Sequence, residues 1–141
     1  MSLRVVFDTN VLFSAVGWSG KPRECLQLAR SGVVQGLICQ PIVDEIREKL
    51  VLKMGFSAEQ ALELIEELRA FLEHVDVSGE LQGICADPDD DAILECALQG
   101  RAIHIVTGDA KHLLPMRQFR GVKIVSPAEF LQVVYASGQA E

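Results

Sequence analysis

The sequence predicts an α/β protein: a three-layer α/β/α arrangement around a mostly parallel central sheet. Three observations lead there. Short apolar runs rich in β-branched residues recur at Val5–Phe7, Gly36–Cys39, Ile103–Thr107 and Val122–Val125. Between them stand segments whose apolar residues follow the 3.6-residue period of a helix. Strands that alternate with helices need crossover connections, which lay the strands parallel and put helices on both faces of the sheet. The length of 141 residues suits one domain, assigned to residues 1–136, with 137–141 expected to be a flexible tail.

The first strand, Arg4-Val5-Val6-Phe7, is cut off by Asp8-Thr9-Asn10 and followed by another apolar run, Val11-Leu12-Phe13. Gly17-Trp18-Ser19-Gly20 is a loop. Pro22 suits the first turn of a helix carrying Cys25, Leu26, Leu28 and Ala29, which Gly32 ends. After the strand Gly36–Cys39, Pro41 opens a helix whose apolar stripe is Ile42, Val43, Ile46, Leu50 and Met54. Ser57 and Gln60 form a capping box for a further helix with Ala61, Leu62, Ile65, Leu68 and Leu72 facing inward. His74–Val77 reads as a short strand and is followed by a glycine-containing loop to Ala86. Asp87-Pro88-Asp89 then introduces a helix to about Leu98, with Gly100 beyond its end. The strands Ile103–Thr107 and Val122–Val125 follow. Ser126, Pro127 and Glu129 supply the cap, first-turn proline and capping-box acid of a terminal helix.

Composition narrows the function classes. The hydrophobic content is 49% and the mean hydropathy +0.22, yet no apolar run reaches the ~20 residues needed to span a bilayer. Asp8 also interrupts the only stretch that could mimic a signal-peptide core, so the expectation is a cytoplasmic protein with no membrane partner. Cys25, Cys39, Cys85 and Cys96 are widely spaced and form no zinc or redox motif, which leaves them as small thiols. The net charge of −7 is uneven. Residues 70–100 hold eight acids and no Lys or Arg, so the remainder sums to +1, and local acidity does not exclude a nucleic-acid substrate.

Acids at strand ends are the chemical signal. Asp8 and Asp109 each follow an apolar strand, so a parallel sheet places both at one edge, where ligands of open α/β sheets bind. Thr9, Asn10 and Thr107 add polar groups at the same edge. Within Asp87-Pro-Asp-Asp-Asp91, Asp90 shares its face with Ile93, Leu94 and Ala97 at i+3, i+4 and i+7 and so lies on the stripe that faces the sheet. Asp87, Asp89 and Asp91 can be solvated and act as caps or supports, with Asp91 on the same side as Glu95. A core-facing carboxylate is costly unless paired or bound to a metal, which singles out Asp90. Asp44 and Glu45 flank the stripe of their helix on opposite sides, and periodicity does not choose between them.

Carboxylates that meet require a proton or a cation, because two charges ~4 Å apart repel by about 4 kcal/mol at an effective dielectric of 20. Oxygen ligands alone favour Mg²⁺ or Mn²⁺ over zinc. Such ions bind phosphates and activate water, which points to phosphodiester hydrolysis.

The motifs hydrophobic-Asp8-Thr9-Asn10-Val11-Leu12, Glu45 in Val-Asp-Glu-Ile-Arg-Glu-Lys-Leu, Asp90 ahead of Ile93 and Ala97, and Thr107-Gly108-Asp109 come in order at matching spacing. In this the chain resembles the PIN-domain family of metal-dependent nucleases. Asp87–Leu98 together with Val106–Leu114 is similar to the VapC-like toxins of prokaryotic toxin–antitoxin systems. The resemblance implies Asp8, Glu45, Asp90 and Asp109 as metal-binding catalytic acids and Asn10 and Thr107 as polar supports. It thereby chooses Glu45 over Asp44. Asp91-Ala92 matches the helix start of relatives as well as Asp90 does, and helical phase favours Asp90. The resemblance further implies Mg²⁺ or Mn²⁺, an RNA substrate, a cognate antitoxin and a homodimer or higher homo-oligomer.

Two other readings compete. A haloacid-dehalogenase-like phosphatase would use Asp8 as nucleophile, but that family has a second Asp where this chain has Asn10. A non-catalytic RNA- or protein-binding module is the other, against which the presence of all four acids counts. His74, His104 and His112 are given structural roles. Trp18 is expected to seal the core or a dimer surface rather than stack on a base. Lys21, Arg23, Lys49, Lys53, Lys111, Arg117 and Arg120 are candidates for phosphate contacts.

Overall fold

The computed structural model describes residues 3–138. Along them run β1 (Leu3–Phe7), α1 (Thr9–Gly17), α2 (Lys21–Arg30), β2 (Val34–Ile38), α3 (Gln40–Met54), α4 (Ala58–Arg69), β3 (Glu73–His74), α5 (Pro88–Gln99), β4 (His104–Val106), β5 (Gln118–Phe119), β6 (Val122–Val125) and α6 (Pro127–Ala136). A 3-10 turn, Leu114–Met116, leads into β5. Of the expected tail, Ser137 and Gly138 follow α6, and 139–141 lie outside the described residues.

The sheet has the order β3-β2-β1-β4-β6-β5, and every pairing is parallel except β5 with β6. The expected three-layer α/β/α class is what forms. Helix α2 packs on α6, α3 packs on α4 and α5, and α5 lies across β1, β2 and β4. Central β1 is covered on both faces, so Val5, Val6 and Phe7 are fully buried and the strand is apolar without alternation. Phe7 meets Phe130 of α6 edge to face at 6.3 Å. Each such buried side chain stabilises the fold by about 1.5–3 kcal/mol.

The strand order explains where a site belongs. The chain goes from β1 to β2 and β3 on one side, then returns to β4 on the other side of β1. Strand β1 and its neighbour β4 therefore flank the topological switch point, and the crevice opens beyond their carboxyl ends.

Several local expectations shift. Thr9–Gly17 is a helix, although its apolar residues crowd together in the sequence. Asp8 caps it by accepting the Val11 N–H, and Val11, Leu12 and Ala15 are buried. The second strand starts at Val34 and stops at Ile38, because Cys39 serves as the N-cap of α3. Leu62, expected inward, is exposed: α4 buries Ala61, Ile65 and Leu68, a narrower stripe. Of the strand expected over His74–Val77 only His74 belongs to one, β3 being Glu73–His74. Both capping boxes, at Ser57/Gln60 and Ser126/Glu129, form as expected. The four cysteines are free thiols, three of them buried.

Trp18 does not seal the core. It is 57% exposed and leans on Phe13 at 5.7 Å. Arg23 is not a free cation for phosphate, since its guanidinium donates to the Ala15 and Val16 carbonyls at the end of α1.

Candidate active site

The pairing of Phe7 with Val106 sets the geometry at the switch point. Beyond that pair, the Asp8 N–H donates to the Val106 carbonyl (3.0 Å), and Thr107 comes alongside Asp8. The Thr107 hydroxyl donates to Asp8 Oδ2 and accepts from the Asp109 N–H (3.0 Å), while Asp8 Oδ1 accepts the Val11 N–H (2.9 Å). Asp8 is thus both a helix cap and a carboxylate at the crevice. Thr107, for which the resemblance implies a supporting role, is fully buried.

Three further elements bring acids to the same place. Glu45 comes from the second turn of α3, Asp90 from the first turn of α5, and Asp109 from the turn after β4. Asp8, Glu45, Asp90 and Asp109 all line one cleft of about 130 Å³, and Asn10 lies on its rim. The Asn10 amide oxygen accepts from Lys49 Nζ, so Lys49 partners Asn10 in addition to sitting four residues after Glu45. Asp44 stays outside, exposed and engaged with Gln40 and Arg47.

Asp91 is a correction. Expected to tolerate solvent, it is 5% exposed, and its carboxylate accepts the Gly83 N–H (3.0 Å) and the Cys85 N–H (2.7 Å). Its neighbour on that side, Glu95, is 3% exposed and accepts the Ser78, Gly79 and Leu81 N–H groups. These two acids hold the loop ahead of α5 and do not line the acidic cleft. Asp90, one residue away, does.

Asp87, Asp89 and His112 also line the cleft. Asp87 is the expected cap and accepts the Asp89 N–H. Asp89 lies against Glu45, an arrangement its helical phase did not reveal. His112 Nδ1 lies 3.3 Å from Asp109 Oδ2, so the donor set is not oxygen alone. The sequence signal for it was available in the three-residue spacing from Asp109, but a spacing in a turn has no fixed direction. His104, in contrast, is buried against Phe130, as a structural residue.

Six carboxylates and no Lys or Arg line this cleft. Burial pushes the Asp8 carboxyl above its usual range, with Asp109 adding to the rise, and this outweighs the hydrogen bonds from Thr107 and Val11. Asp90 is pushed up to about 6 by burial and then by Asp87, Asp109 and Asp8. Asp89 is raised by burial and by the charges of Glu45 and Asp87. Asp109 alone goes down: burial opposes its charge, but the His112 and Lys111 N–H groups and the His112 ring prevail. Without a cation, protons must do the neutralising. The donors fit a divalent metal: several carboxylates, an amide oxygen, and the buried Thr9 hydroxyl, which has no hydrogen-bond partner among the described residues. The cleft is smaller than the ≈ 300–1,000 Å³ of organic-cofactor pockets.

This arrangement has counterparts. The PIN domain matches residues 4–111, a stretch that contains all four acids. The chain belongs to the PIN-domain family. PIN domains are nucleases that use divalent metals. Among solved structures it is similar in fold to VapBC2 from Rickettsia felis bound to a DNA fragment from their promoter. That likeness has a TM-score of 0.63 and 17% identity, over 88% of this chain and 98% of that one. DNA-bound VapBC from Salmonella typhimurium gives 0.62 and 19%, over 89% and 98%. FitAB bound to an IR36 DNA fragment gives 0.57 and 17%, over 87% and 94%. No curated protein matches in sequence. No helix among the described residues is long and apolar enough to cross a membrane.

Proposed function

We propose that this PIN domain is a metal-dependent endoribonuclease and the toxin of a toxin–antitoxin pair. The observation that carries the nuclease reading is the convergence of Asp8, Glu45, Asp90 and Asp109 on one cleft lined by six carboxylates and by no Lys or Arg. In this reading the four acids hold Mg²⁺ or Mn²⁺. When bound, the ion supplies positive charge to the scissile phosphate and lowers the pKa of an attacking water.

The protein's own groups prepare that event. Thr107 and the Val11 N–H fix both oxygens of Asp8, and the Asp109 turn fixes one oxygen of its carboxylate. Such locked ligands need no reorganisation when phosphate arrives. Lys49, held by Asn10 at the rim, and Lys53, in the adjoining cleft along α3, are the cations best placed to meet the RNA backbone. Incubating the purified protein with single-stranded RNA and Mn²⁺ tests this. Cleavage that chelation abolishes and that Asp8→Asn slows by at least about a hundredfold is expected. An Asp8→Asn protein as fast as the wild type overturns it.

The toxin reading draws on the similarity of Asp87–Leu98 and Val106–Leu114 to PIN toxins, and the fold likeness to VapBC and FitAB supports it. It brings with it a small antitoxin protein as partner, a homo-oligomeric state and a cytoplasmic location. Co-expression with the product of the adjacent reading frame, followed by size-exclusion chromatography, tests it: a stable complex that suppresses RNA cleavage is the expected result.

A further inference from the structure

We infer that His112 is a nitrogen donor to the cation held by Asp90 and Asp109, and that this donor biases the site towards Mn²⁺ over Mg²⁺. The inference rests on the metal-dependent reading above and adds a residue just beyond the stretch matched to the PIN domain, which ends at 111.

The geometry is that of neighbouring ligands. One donor atom each from Asp90, Asp109 and His112 lie within 4.8 Å of one another, and His112 Nδ1 is 3.3 Å from Asp109 Oδ2. Around an octahedral ion with bonds of roughly 2.1 Å, adjacent donors stand about 3 Å apart and opposite ones about 4.2 Å. The three groups therefore close on an ion with small side-chain movements. Asp109 Oδ1 is already used by the Lys111 and His112 N–H groups, so Oδ2, the oxygen facing the imidazole, is the one free to ligate.

The chemical consequence differs from that of a fifth acid. Another carboxylate would strengthen Mg²⁺ and Mn²⁺ binding alike. Mg²⁺ is hard and keeps oxygen ligands, whereas imidazole nitrogen suits first-row transition ions, so one His in an otherwise oxygen site discriminates between the two. A purely structural His112, ion-paired to Asp109, would leave that discrimination untouched.

Pulsed electron paramagnetic resonance of Mn²⁺ bound to the whole protein, with Mn²⁺ and Mg²⁺ titrations by calorimetry, tests this without reference to catalysis. The wild type is expected to show ¹⁴N modulation from a directly bound imidazole. His112→Ala loses the modulation and its Mn²⁺ affinity falls about tenfold more than its Mg²⁺ affinity. His112 is exposed, and unchanged melting of metal-free His112→Ala confirms that the variant is folded. Bound Mn²⁺ without nitrogen modulation, or an unchanged Mn²⁺/Mg²⁺ preference in His112→Ala, overturns the His112 assignment and leaves the acids as ligands. A wild type that binds no Mn²⁺ at millimolar concentration overturns the metal site itself, and this inference with it.

Discussion

Two groups of acids on α5 sit a residue apart in sequence and do opposite things. Asp91 and Glu95 have their carboxylates taken up by five backbone N–H groups of the Ser78–Cys85 loop, and Glu95, although burial works against its charge, is held below its usual pKa by them. Asp90, with Asp87 and Asp89, meets other carboxylates, and burial together with like charge pushes Asp90 up to about 6. Residue type is alike in the two groups, but Asp91 and Glu95 are buried whereas Asp90 is half-buried and Asp87 and Asp89 are exposed. What also differs is whether the lone pairs already have donors. A carboxylate with its donors in place is part of the fold, and one without them is the kind of group that the proposed function gives to a cation.

Substitution on the two sides should separate activity from stability. The largest effect expected is on RNA cleavage: Asp90→Asn lowers it by about a hundredfold or more, roughly 3 kcal/mol of barrier, while the metal-free protein melts no lower than the wild type. Steady-state cleavage and thermal melting of the same preparation check both halves. Next in size is Glu95→Ala, which leaves three N–H groups without their acceptor. It should cost about 2–3 kcal/mol of stability by denaturant titration, with the loop's solvent access limiting the loss. Asp91→Ala, which frees two N–H groups, should cost about 1–2 kcal/mol and leave Mn²⁺ affinity close to wild type.

The smallest effect is a pH signature with opposite signs. Asp90 has a folded pKa raised above its unfolded value, so its contribution is fully present below about pH 4 and is lost as pH rises through about 6. Glu95 has a lowered folded pKa, so its contribution is present above the unfolded value of about 4.3 and is lost as pH falls through the folded one. In chelator-treated protein, Asp90→Asn should therefore gain on the wild type between pH 4 and 7, by a few degrees of melting temperature at most, and Mn²⁺ should erase the gain. Glu95→Gln should flatten the loss of stability on acidification. A common slope for both variants would break the distinction between the two groups.

The candidate site was partly legible in the sequence. Asp8 and Asp109 could be placed together because a parallel sheet brings all its strand ends to one edge; helical phase singled out Asp90, which lines the cleft but is half-buried, while Asp91 is the more buried of the two. Glu45 against Asp44 was not, since both flank the stripe symmetrically; the direction of α3 relative to α5 decides which one enters the cleft. Helix α1 was hidden because Val11-Leu12-Phe13 reads as a run rather than a stripe, and its signal lay in Asp8, whose capping role and site role coincide. Asp91 was misjudged because its donors come from a loop with no periodicity.

The one-dimensional pattern alone determined the class of the fold, the strand ends that carry acids and the residue types suited to a divalent ion. Those follow from local periods, of two and 3.6 residues, that every segment expresses for itself. Only the tertiary structure decided that Asp91 and Glu95 serve the loop, that Asp89 meets Glu45 and that His112 reaches Asp109. Each of those contacts depends on where a turn or a second helix lies in space, which no period along the chain records.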